Sequence, residues 1–564
     1  MLTTKTTRQV ARLLCAAVYL VCATELAMAA PKKSKLSRDL QSSTDSRDVI
    51  VQFSIAPDSS KHGSIMKRGG KLRQLFKSLN AAVYNLPASV IADLENDPDV
   101  IFVTPDRPLG ATLDYARPAV NAHIAQQYGW NGTGVGVAII DSGINGNDAD
   151  LESRVVYSQN FVTYESTTAD LYGHGTHVAG IVASKGADSS CTTCFKQFKG
   201  IAPQAKLINL RVLDKDGRGT DSAVIAAIER AIELKNGFNI RVINLSLGRA
   251  ISESYVNDPL CQAVERAWKA GIVVVTAAGN NGRNQTMGTS GYATINSPAN
   301  DPYVITVGAM RDMGTELRAD DLVASYSSKG PTLVDHIVKP DIVAPGNRIV
   351  SVLANSTILD KYPNNAIPLA YYKLTLSTAR SSDYYMLSGT SMAAPMVSGA
   401  AAAMIEKDPS LTPDTVKARL MKTANKAIPA LSLATDVLTG ITYSTQADIF
   451  TIGAGYLDVW AALNSTETVP ATRSAMSPFA SRDPNTGAVS ILRSASVVWG
   501  DSTSWGLSVV WGANVLLNGT SVLLGNSVVW GDYASTACSV VWGDSVVWGD
   551  YASQTEALSI EGDR

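Results

Sequence analysis

The chain has 564 residues, of which 45% are hydrophobic and 17% charged, and its formal net charge is -2 at pH 7. This length exceeds that of one ordinary domain, and the composition is that of a globular protein able to bury a large core. The near-neutral charge argues against nucleic acid and membrane surfaces as partners, and no segment after the N-terminus is apolar over a length that spans a bilayer.

The N-terminus has the pattern of a secretory signal peptide. Lys5, Arg8 and Arg12 precede an apolar stretch over residues 13–23, and Ala27-Met28-Ala29 offers small residues for cleavage. A basic start, a short apolar stretch and a small-residue site are typical of a signal that is removed on export. We therefore expect residues 1–29 to be removed from a protein that is secreted or held at the cell surface.

The next segment, residues 30–109, has the pattern of a small separate domain. The order of its predicted elements is β-α-β-β-α-β, which is the split βαβ arrangement. Residue alternation and helix signals predict strands and helices in this order: 49–53 (strand), 60–68 (helix), 72–76 (strand), 81–86 (strand), 87–96 (helix) and 100–105 (strand). An ordinary α/β domain that stays attached to its neighbour would have the same pattern.

Two segments further along place a carboxylate and an imidazole at the ends of regular elements. An apolar run over residues 134–140 ends on Asp141, as in a strand buried on both faces of a parallel sheet. Loops beyond the carboxyl ends of such strands are where α/β proteins build their sites. His174 lies between two glycines at the start of a predicted helix.

Two later segments add an amide and a hydroxyl. A second buried strand, predicted from residue 273 onward, is followed by Asn280. The run Gly-Thr-Ser-Met-Ala-Ala-Pro over residues 389–395 places Ser391 at the start of a helix, whose amides and dipole favour negative charge there. Gly389 permits close approach of another backbone, and Pro395 is expected in the first helical turn, where a missing N–H costs nothing.

These four side chains have the chemistry of acyl transfer. An alcohol is a poor nucleophile at neutral pH, so Ser391 needs an adjacent base, and the ordinary pKa of His174 suits that task. Asp141 would orient the imidazole and stabilise its protonated form. The Asn280 amide and the Ser391 N–H would donate to the oxyanion that forms when the scissile carbonyl becomes tetrahedral.

In their chain order and flanking motifs, Asp141, His174, Asn280 and Ser391 closely resemble the subtilisin-like serine peptidases. The resemblance covers roughly residues 110–465. It implies a three-layer α/β/α fold with a mostly parallel sheet, a catalytic triad of Asp141, His174 and Ser391, and an oxyanion role for Asn280. The related sedolisin group has glutamate in place of His174 and is disfavoured.

The same resemblance assigns substrate contacts and a propeptide. The residues expected to bind an extended substrate and to line its primary specificity pocket are Ser246, Leu247, Gly248, Ala277, Ala278, Gly279 and Asn296. Residues 30–109 resemble the ferredoxin-like inhibitor propeptide of the family, which assists folding and plugs the cleft. We expect its cleavage between Pro105 and Tyr115, preferably after Leu109 or Gly110 and by the enzyme's own serine.

Metal and cysteine alternatives are weaker. His174 and His177 lie three apart on a helix, but no glutamate lies between them and no third ligand follows, so no catalytic metal is predicted. Family members commonly carry structural calcium, and Asp150 matches a frequent ligand position, whereas residues 185–199 lack the usual binding insertion. The chemistry thus needs no cofactor, and calcium stays open. Cys191 and Cys194 are spaced for a small disulfide in an exported protein.

The C-terminal region contains a short repeat. The unit Ser-Val-Val-Trp-Gly-Asp at residues 496–501 recurs in whole or degenerate copies that start at Ser508, Ser521, Ser527, Ser539 and Ser545. Val-Val-Trp followed by Gly-Asp predicts short strands broken by turns, and repetition favours stacking of small units. Similar repeats end some bacterial subtilisin-like enzymes. Binding to a surface or polymer and a poorly ordered tail both remain open.

The sequence therefore predicts four regions: a signal peptide (1–29), an inhibitor-like propeptide (30–109), a subtilisin-like peptidase domain (110–465), and a Ser/Thr-rich linker with a β-prone Trp-Gly-Asp repeat tail (466–564). The predicted function is that of a secreted serine endopeptidase that acts on protein or peptide substrates through an acyl-enzyme and processes its own precursor. The alternative is a surface adhesion or scaffold protein whose peptidase domain processes only itself.

Overall fold

A computed structural model describes residues 34–36, 40, 46–76, 80–105, 113–284, 289–436, 439–482, 489–492, 515–517, 521–523 and 562–563. The chain forms two compact units, Met1–Leu109 and Gly110–Arg564. The predicted signal peptide, the predicted cleavage segment over residues 106–112, and all repeat copies except the start of the one at Ser521 lie outside the described residues. Among the described helices, none is both long and apolar enough to cross a membrane.

The first unit is a four-stranded antiparallel sheet with two helices. Its strand order is β2-β3-β1-β4. Val49, Val51 and Phe53 alternate along the first strand and are all buried, which is the pattern that identified this strand in the sequence. The elements follow the predicted order: β1 (Arg47–Phe53), α1 (Ser59–Lys67), β2 (Lys71–Phe76), β3 (Ala81–Leu86), α2 (Ala88–Leu94) and β4 (Val100–Pro105).

The second unit is built on a mostly parallel sheet with the order β11-β10-β9-β8-β5-β7-β6, in which β12 also pairs with β10. Neighbouring strands from β6 to β10 are parallel, whereas β11 is antiparallel to β10. This sheet and its helices confirm the predicted α/β fold. The strands are β5 (Gly136–Asp141), β6 (Val155–Asn160), β7 (Lys206–Arg211), β8 (Ile240–Leu245), β9 (Val273–Ala277), β10 (Ile305–Arg311), β11 (Leu322–Val323) and β12 (Ile342–Pro345).

The helices of this unit pack on the sheet and on each other. The helix that begins at His174 packs against the helix that begins at Thr390, and the latter also packs against β8, β9 and β10. The helices are α3 (Leu113–Ala119), α4 (Ala122–Gln127), α5 (His174–Ala183), α6 (Asp221–Phe238), α7 (Pro259–Lys269), α8 (Thr357–Lys361), α9 (Thr390–Lys407), α10 (Pro413–Thr423), α11 (Ile449–Ile452) and α12 (Val459–Asn464).

Smaller sheets complete the unit, and the last of them includes residues of the C-terminal region. The degenerate repeat copy at Ser521 begins as a strand, which pairs antiparallel with a neighbouring strand of the same region. The strands are β13 (Ile349–Val352), β14 (Ala366–Pro368) and β15 (Arg380–Leu387); β16 (Leu431–Thr435) and β17 (Thr442–Gln446); and β18 (Phe479–Arg482), β19 (Val489–Leu492), β20 (Val515–Leu517) and β21 (Ser521–Leu523).

Candidate active site

The carboxyl ends of three neighbouring parallel strands meet at one edge of the main sheet. Asp141 is the last residue of β5, Ser246 follows β8, and Ala277 ends β9. Helices α5 and α9 supply His174 and Ser391 from their first turns. The fold therefore gathers the predicted site residues at the edge where parallel α/β sheets build their sites.

Asp141 and His174 are hydrogen-bonded to each other through their side chains. The Asp141 side chain is fully buried, and its Oδ1 lies 2.8 Å from His174 Nδ1. The same oxygen accepts a hydrogen bond of 2.7 Å from the backbone of Ser142. Burial lowers the pKa of His174, but attraction by Asp141 and Asp170 outweighs that effect, so the pKa lies above the ordinary histidine value.

A second carboxylate, which the sequence did not single out, holds the start of the histidine helix. Asp170 is buried and accepts hydrogen bonds from Gly173 N at 2.6 Å, from Thr176 N at 2.7 Å and from Ser142 Oγ at 2.8 Å. Burial raises its pKa even though these donors favour the ionised form. An aspartate shortly before a predicted helix was the available signal, because carboxylates satisfy the unpaired N–H groups of a first helical turn.

His177 has a structural position. Its Nε2 lies 3.0 Å from Ile349 O and 3.1 Å from Tyr385 O, in a fully buried environment. Burial, with repulsion from His174 as a smaller cause, lowers the pKa of His177 to about 3. A neutral ring whose Nε2–H contacts backbone carbonyls has the geometry of a packing residue and not of a metal ligand.

Asn280 is clamped by Thr390, the residue before Ser391. Asn280 Oδ1 accepts hydrogen bonds from Thr390 N at 2.9 Å and from Thr390 Oγ1 at 3.0 Å. Thr390 Oγ1 in turn accepts from Gly279 N at 3.1 Å. With Oδ1 engaged in this way, Nδ2 is the donor end of the amide. Gly389 has φ +152°, which side chains disfavour, and a Cβ there would lie 3.2 Å from that Nδ2, so backbone conformation and space both favour glycine.

Ser391 exchanges hydrogen bonds with Ser246. Ser391 Oγ donates to Ser246 O at 3.1 Å, and Ser246 Oγ donates to Ser391 O at 2.8 Å. The expectation that Pro395 lies in the first turn of the helix is wrong, because α9 begins at Thr390 and Pro395 is its sixth residue. An N–H at that position would bond Ser391 O, so the Ser246 hydroxyl supplies the donor that proline lacks.

The residues expected to bind substrate lie close to one another around Asn296. Asn296 N donates to Ala278 O at 3.0 Å, and its amide would be 2.9 Å from a Cβ on Gly279. A Cβ on Gly248 would likewise lie 3.1 Å from that of Asn296. Ala278 N is bonded to Val307 O in the sheet. The segments 246–248 and 277–279 therefore converge on Asn296, which the two glycines approach without side chains.

A sequence profile of the Subtilase family matches residues 132–455, which is more than half of the chain. The chain belongs to the subtilase family. Serine protease AprX of Bacillus subtilis is 38% identical over 368 residues, covering 64% of this chain and 77% of the relative. Subtilisin E of the same species is 32% identical over 391 residues, covering 68% and 86%. Subtilisin DY of Bacillus licheniformis is 37% identical over 313 residues, covering 56% and 92%.

The predicted enzyme class is confirmed by these comparisons, and this subtilase is a subtilisin-like serine endopeptidase. Cys191 and Cys194 form a disulfide, as their spacing predicts. This covalent link closes the loop after the histidine helix. Cys261 is buried in α7.

Three carboxylates offer a cation site near the calcium position left open by the sequence. Carboxyl oxygens of Asp148, Asp150 and Asp188 lie within 4.8 Å of one another. Burial, and then the neighbouring charges of Asp150 and Asp188, raise the pKa of Asp148 to about 6. Oxygen donors and clustered negative charge are what calcium prefers, so these three side chains would be the ones to hold such an ion.

Proposed function

We propose that Ser391 is the nucleophile of this endopeptidase, His174 its general base and Asp141 the group that orients the base. The hydrogen bond of 2.8 Å between Asp141 Oδ1 and His174 Nδ1 carries this proposal, because it leaves Nε2 of His174 as the proton acceptor. The histidine takes the Ser391 proton as the hydroxyl attacks the scissile carbonyl. It then returns the proton to the leaving amine, and water hydrolyses the acyl-enzyme.

We propose that Asn280 Nδ2 and Ser391 N donate to the oxyanion. The clamp by Thr390 supports this role, since it holds the amide in place before the reaction. Donors that are positioned in advance cost no reorganisation when negative charge develops. Segments 246–248 and 277–279, together with Asn296, then bind the substrate main chain and its primary side chain.

We infer that the precursor is exported and processes itself. The signal-like N-terminus and the Cys191–Cys194 disulfide support export, since disulfides persist in oxidising compartments. The separate sheet and core of residues 47–105 support the role of the first unit as a removable inhibitor and folding aid. Protein and peptide substrates follow from the endopeptidase class.

The proposal is tested by expressing residues 30–564 with serine at position 391 and as Ser391→Ala. The alanine variant should lose propeptide release, hydrolysis of an added peptide library and labelling by a serine-directed phosphonate. Ser382→Ala, which changes an exposed serine, is the matched control and should retain all three activities. Persistent labelling of the Ser391→Ala protein at another serine would refute the assignment.

The same proteins distinguish an endopeptidase of wider use from one that serves only its own maturation. Cleavage of the library supports the first, and cleavage confined to the chain itself favours a scaffold or adhesion protein with a processing domain. N-terminal sequencing of the active form should find a start between residues 106 and 115. A start near Ala30 or beyond Gly134 would contradict the propeptide assignment.

A further inference from the structure

The last described residues, Gly562 and Asp563, lie in a buried site of the peptidase unit. Asp563 is 2% exposed, and both of its carboxylate oxygens accept hydrogen bonds. Oδ1 accepts from Arg283 Nη2 and from Ser325 Oγ, each at 2.6 Å, and Oδ2 accepts from Ser325 N at 2.8 Å. Arg311 Nη1 lies 4.0 Å from Oδ2. The surroundings of this carboxylate thus consist of donors and positive charge.

The site also recognises the main chain of its ligand. Asp563 N donates to Asn347 Oδ1 at 2.7 Å, and Asn347 Nδ2 donates to Asp563 O at 3.0 Å. This reciprocal pair satisfies both backbone groups of the bound aspartate, as a neighbouring strand would.

Glycine is required before the aspartate. Gly562 has φ +68°, a conformation that other residues rarely adopt. A Cβ on it would lie 2.5 Å from Asn347 Oδ1 and closer still to Ser388 Oγ. The site therefore selects a glycine followed by an aspartate, through shape at the first position and charge-assisted hydrogen bonds at the second.

The groups that contact the dipeptide are themselves held in place. Arg283 Nε donates to Ser325 Oγ at 2.7 Å, and its Nη1 donates to Asp436 at 2.6 Å, so Nη2 is directed at Asp563. Arg283, Ser325, Asn347 and Ser388 are all buried. A buried arginine with two of its nitrogens fixed by the protein is a prepared anion partner and not a mobile surface side chain.

The site adjoins both halves of the proposed catalytic apparatus. Arg283 is three residues after Asn280, and Ser388 is three residues before Ser391. Asn347 follows Gly346, whose carbonyl accepts a hydrogen bond of 2.8 Å from Gly389 N. A ligand that contacts Arg283, Asn347 and Ser388 therefore links the segment of the oxyanion amide to the segment of the nucleophile.

We propose that Arg283, Ser325, Asn347 and Ser388 form a binding site for a Gly-Asp dipeptide, that the chain's own C-terminus is the ligand, and that its binding orders the segments of Asn280 and Ser391. All Gly-Asp pairs of the sequence occur from residue 500 onward, and four of the five belong to Trp-Gly-Asp repeat copies: 500–501, 531–532, 543–544, 549–550 and 562–563. The repeats thus carry the same ligand chemistry, and a repeat copy is the second source of it.

Binding is tested on the chain that ends at Glu561, with Ser391→Ala to prevent self-cleavage, by fluorescence anisotropy of labelled peptide Ser-Ile-Glu-Gly-Asp-Arg. The truncated chain should bind it, and the full chain should not, because its site is filled. Asparagine in place of aspartate should weaken binding about 100-fold, since its NH₂ would face a donor in place of a charge-assisted contact. Equal binding of both peptides would overturn the proposal, and so would no binding either to this chain or to one that ends at Ala495 and lacks every Gly-Asp pair.

A repeat peptide separates the two ligand sources. Competition by Val-Trp-Gly-Asp-Tyr, the sequence of residues 529–533, would show that repeat copies also fill the site. Failure to compete, with Ser-Ile-Glu-Gly-Asp-Arg still bound, assigns the site to the C-terminus alone.

The effect on catalysis rests on the proposed function and is measured separately, so that a failed triad assignment leaves the binding result intact. The active chain ending at Glu561 should have a kcat about ten-fold lower with little change in KM, and the Gly-Asp peptide should restore it. Asp563→Asn in the full chain should show the same loss, and Asp320→Asn, which changes an exposed aspartate, is the matched control. If the truncated chain fails to fold, the full-length Asp563→Asn variant provides the test. A kcat and a thermal midpoint equal to those of the wild type in that variant would overturn the proposal.

Discussion

Thr390→Val tests how the proposed oxyanion amide is held. The substitution keeps the shape of a fully buried side chain but removes Oγ1, which donates to Asn280 Oδ1 and accepts from Gly279 N. Two hydrogen bonds are lost, and the Gly279 N–H loses this partner in a buried place. At roughly 0.5 to 1.5 kcal/mol for the bond to Asn280 and 1 to 3 kcal/mol for the buried Gly279 N–H that loses its acceptor, the free energy of unfolding should fall by about 1.5 to 4.5 kcal/mol.

Catalysis should suffer less from this change than from loss of Asn280 itself. The Thr390 backbone still donates to Asn280 at 2.9 Å, so the amide is loosened and not removed. Removing an oxyanion donor costs about 100-fold to 1000-fold in kcat, and we expect about ten-fold for Thr390→Val with little change in KM. Thr390→Ser keeps the hydroxyl and should stay within about two-fold of wild type.

The assays are urea unfolding in the Ser391→Ala background and steady-state hydrolysis of a chromogenic peptide by the otherwise unchanged enzyme. A double-mutant cycle makes the test specific, because the effect of Thr390→Val on kcat should vanish once Asn280 is alanine. A ten-fold loss that persists in the Asn280→Ala enzyme would refute the clamp. So would a Thr390→Val enzyme with wild-type kcat.

Three further outcomes are expected. The pKa of His174 is raised by Asp141, and only the neutral ring accepts a proton, so kcat/KM should fall as pH drops through a midpoint above about 6.5. Asp141→Asn should lower that midpoint. An unchanged midpoint would argue against the hydrogen-bonded pair of Asp141 and His174. Calcium should raise the thermal midpoint more at pH 7 than at pH 5. The pKa of Asp148 is raised to about 6, so the folded protein loses stability as pH rises toward that value and the carboxyl ionises, and a bound cation offsets this loss. Asp148→Asn should remove the response to calcium, and a response that does not depend on pH would contradict this reasoning. Ser246→Ala should lower the free energy of unfolding by about 1 to 3 kcal/mol, because it leaves Ser391 O without its donor. Pro395→Ala in that background restores a backbone N–H and should recover most of the lost stability. No recovery would show that the Ser246 hydroxyl has another role.

Much of the fold and the identity of the site side chains could be predicted from short stretches of sequence. Six consecutive buried residues in β5 produce an apolar run that ends on Asp141, and alternation in β1 marks a half-buried strand. His174 and Ser391 each lie in the first turn of a helix that directly follows a glycine. These features are local because helix and strand preferences depend on neighbours a few residues away.

The tertiary structure alone decided how those side chains are supported. Ser246 lies 145 residues from Ser391, and Asp563 lies 280 residues from Arg283, yet each pair is hydrogen-bonded. Local sequence patterns do not predict such contacts. Each contact depends on which distant segments the packed sheet brings together and on which buried donors need an acceptor at that place. The sequence by itself determined that a serine, a histidine and an aspartate occupy the ends of buried elements. Packing decided that Thr390 holds Asn280, that Ser246 replaces the N–H missing at Pro395, and that the C-terminal Gly-Asp pair fills a site beside them.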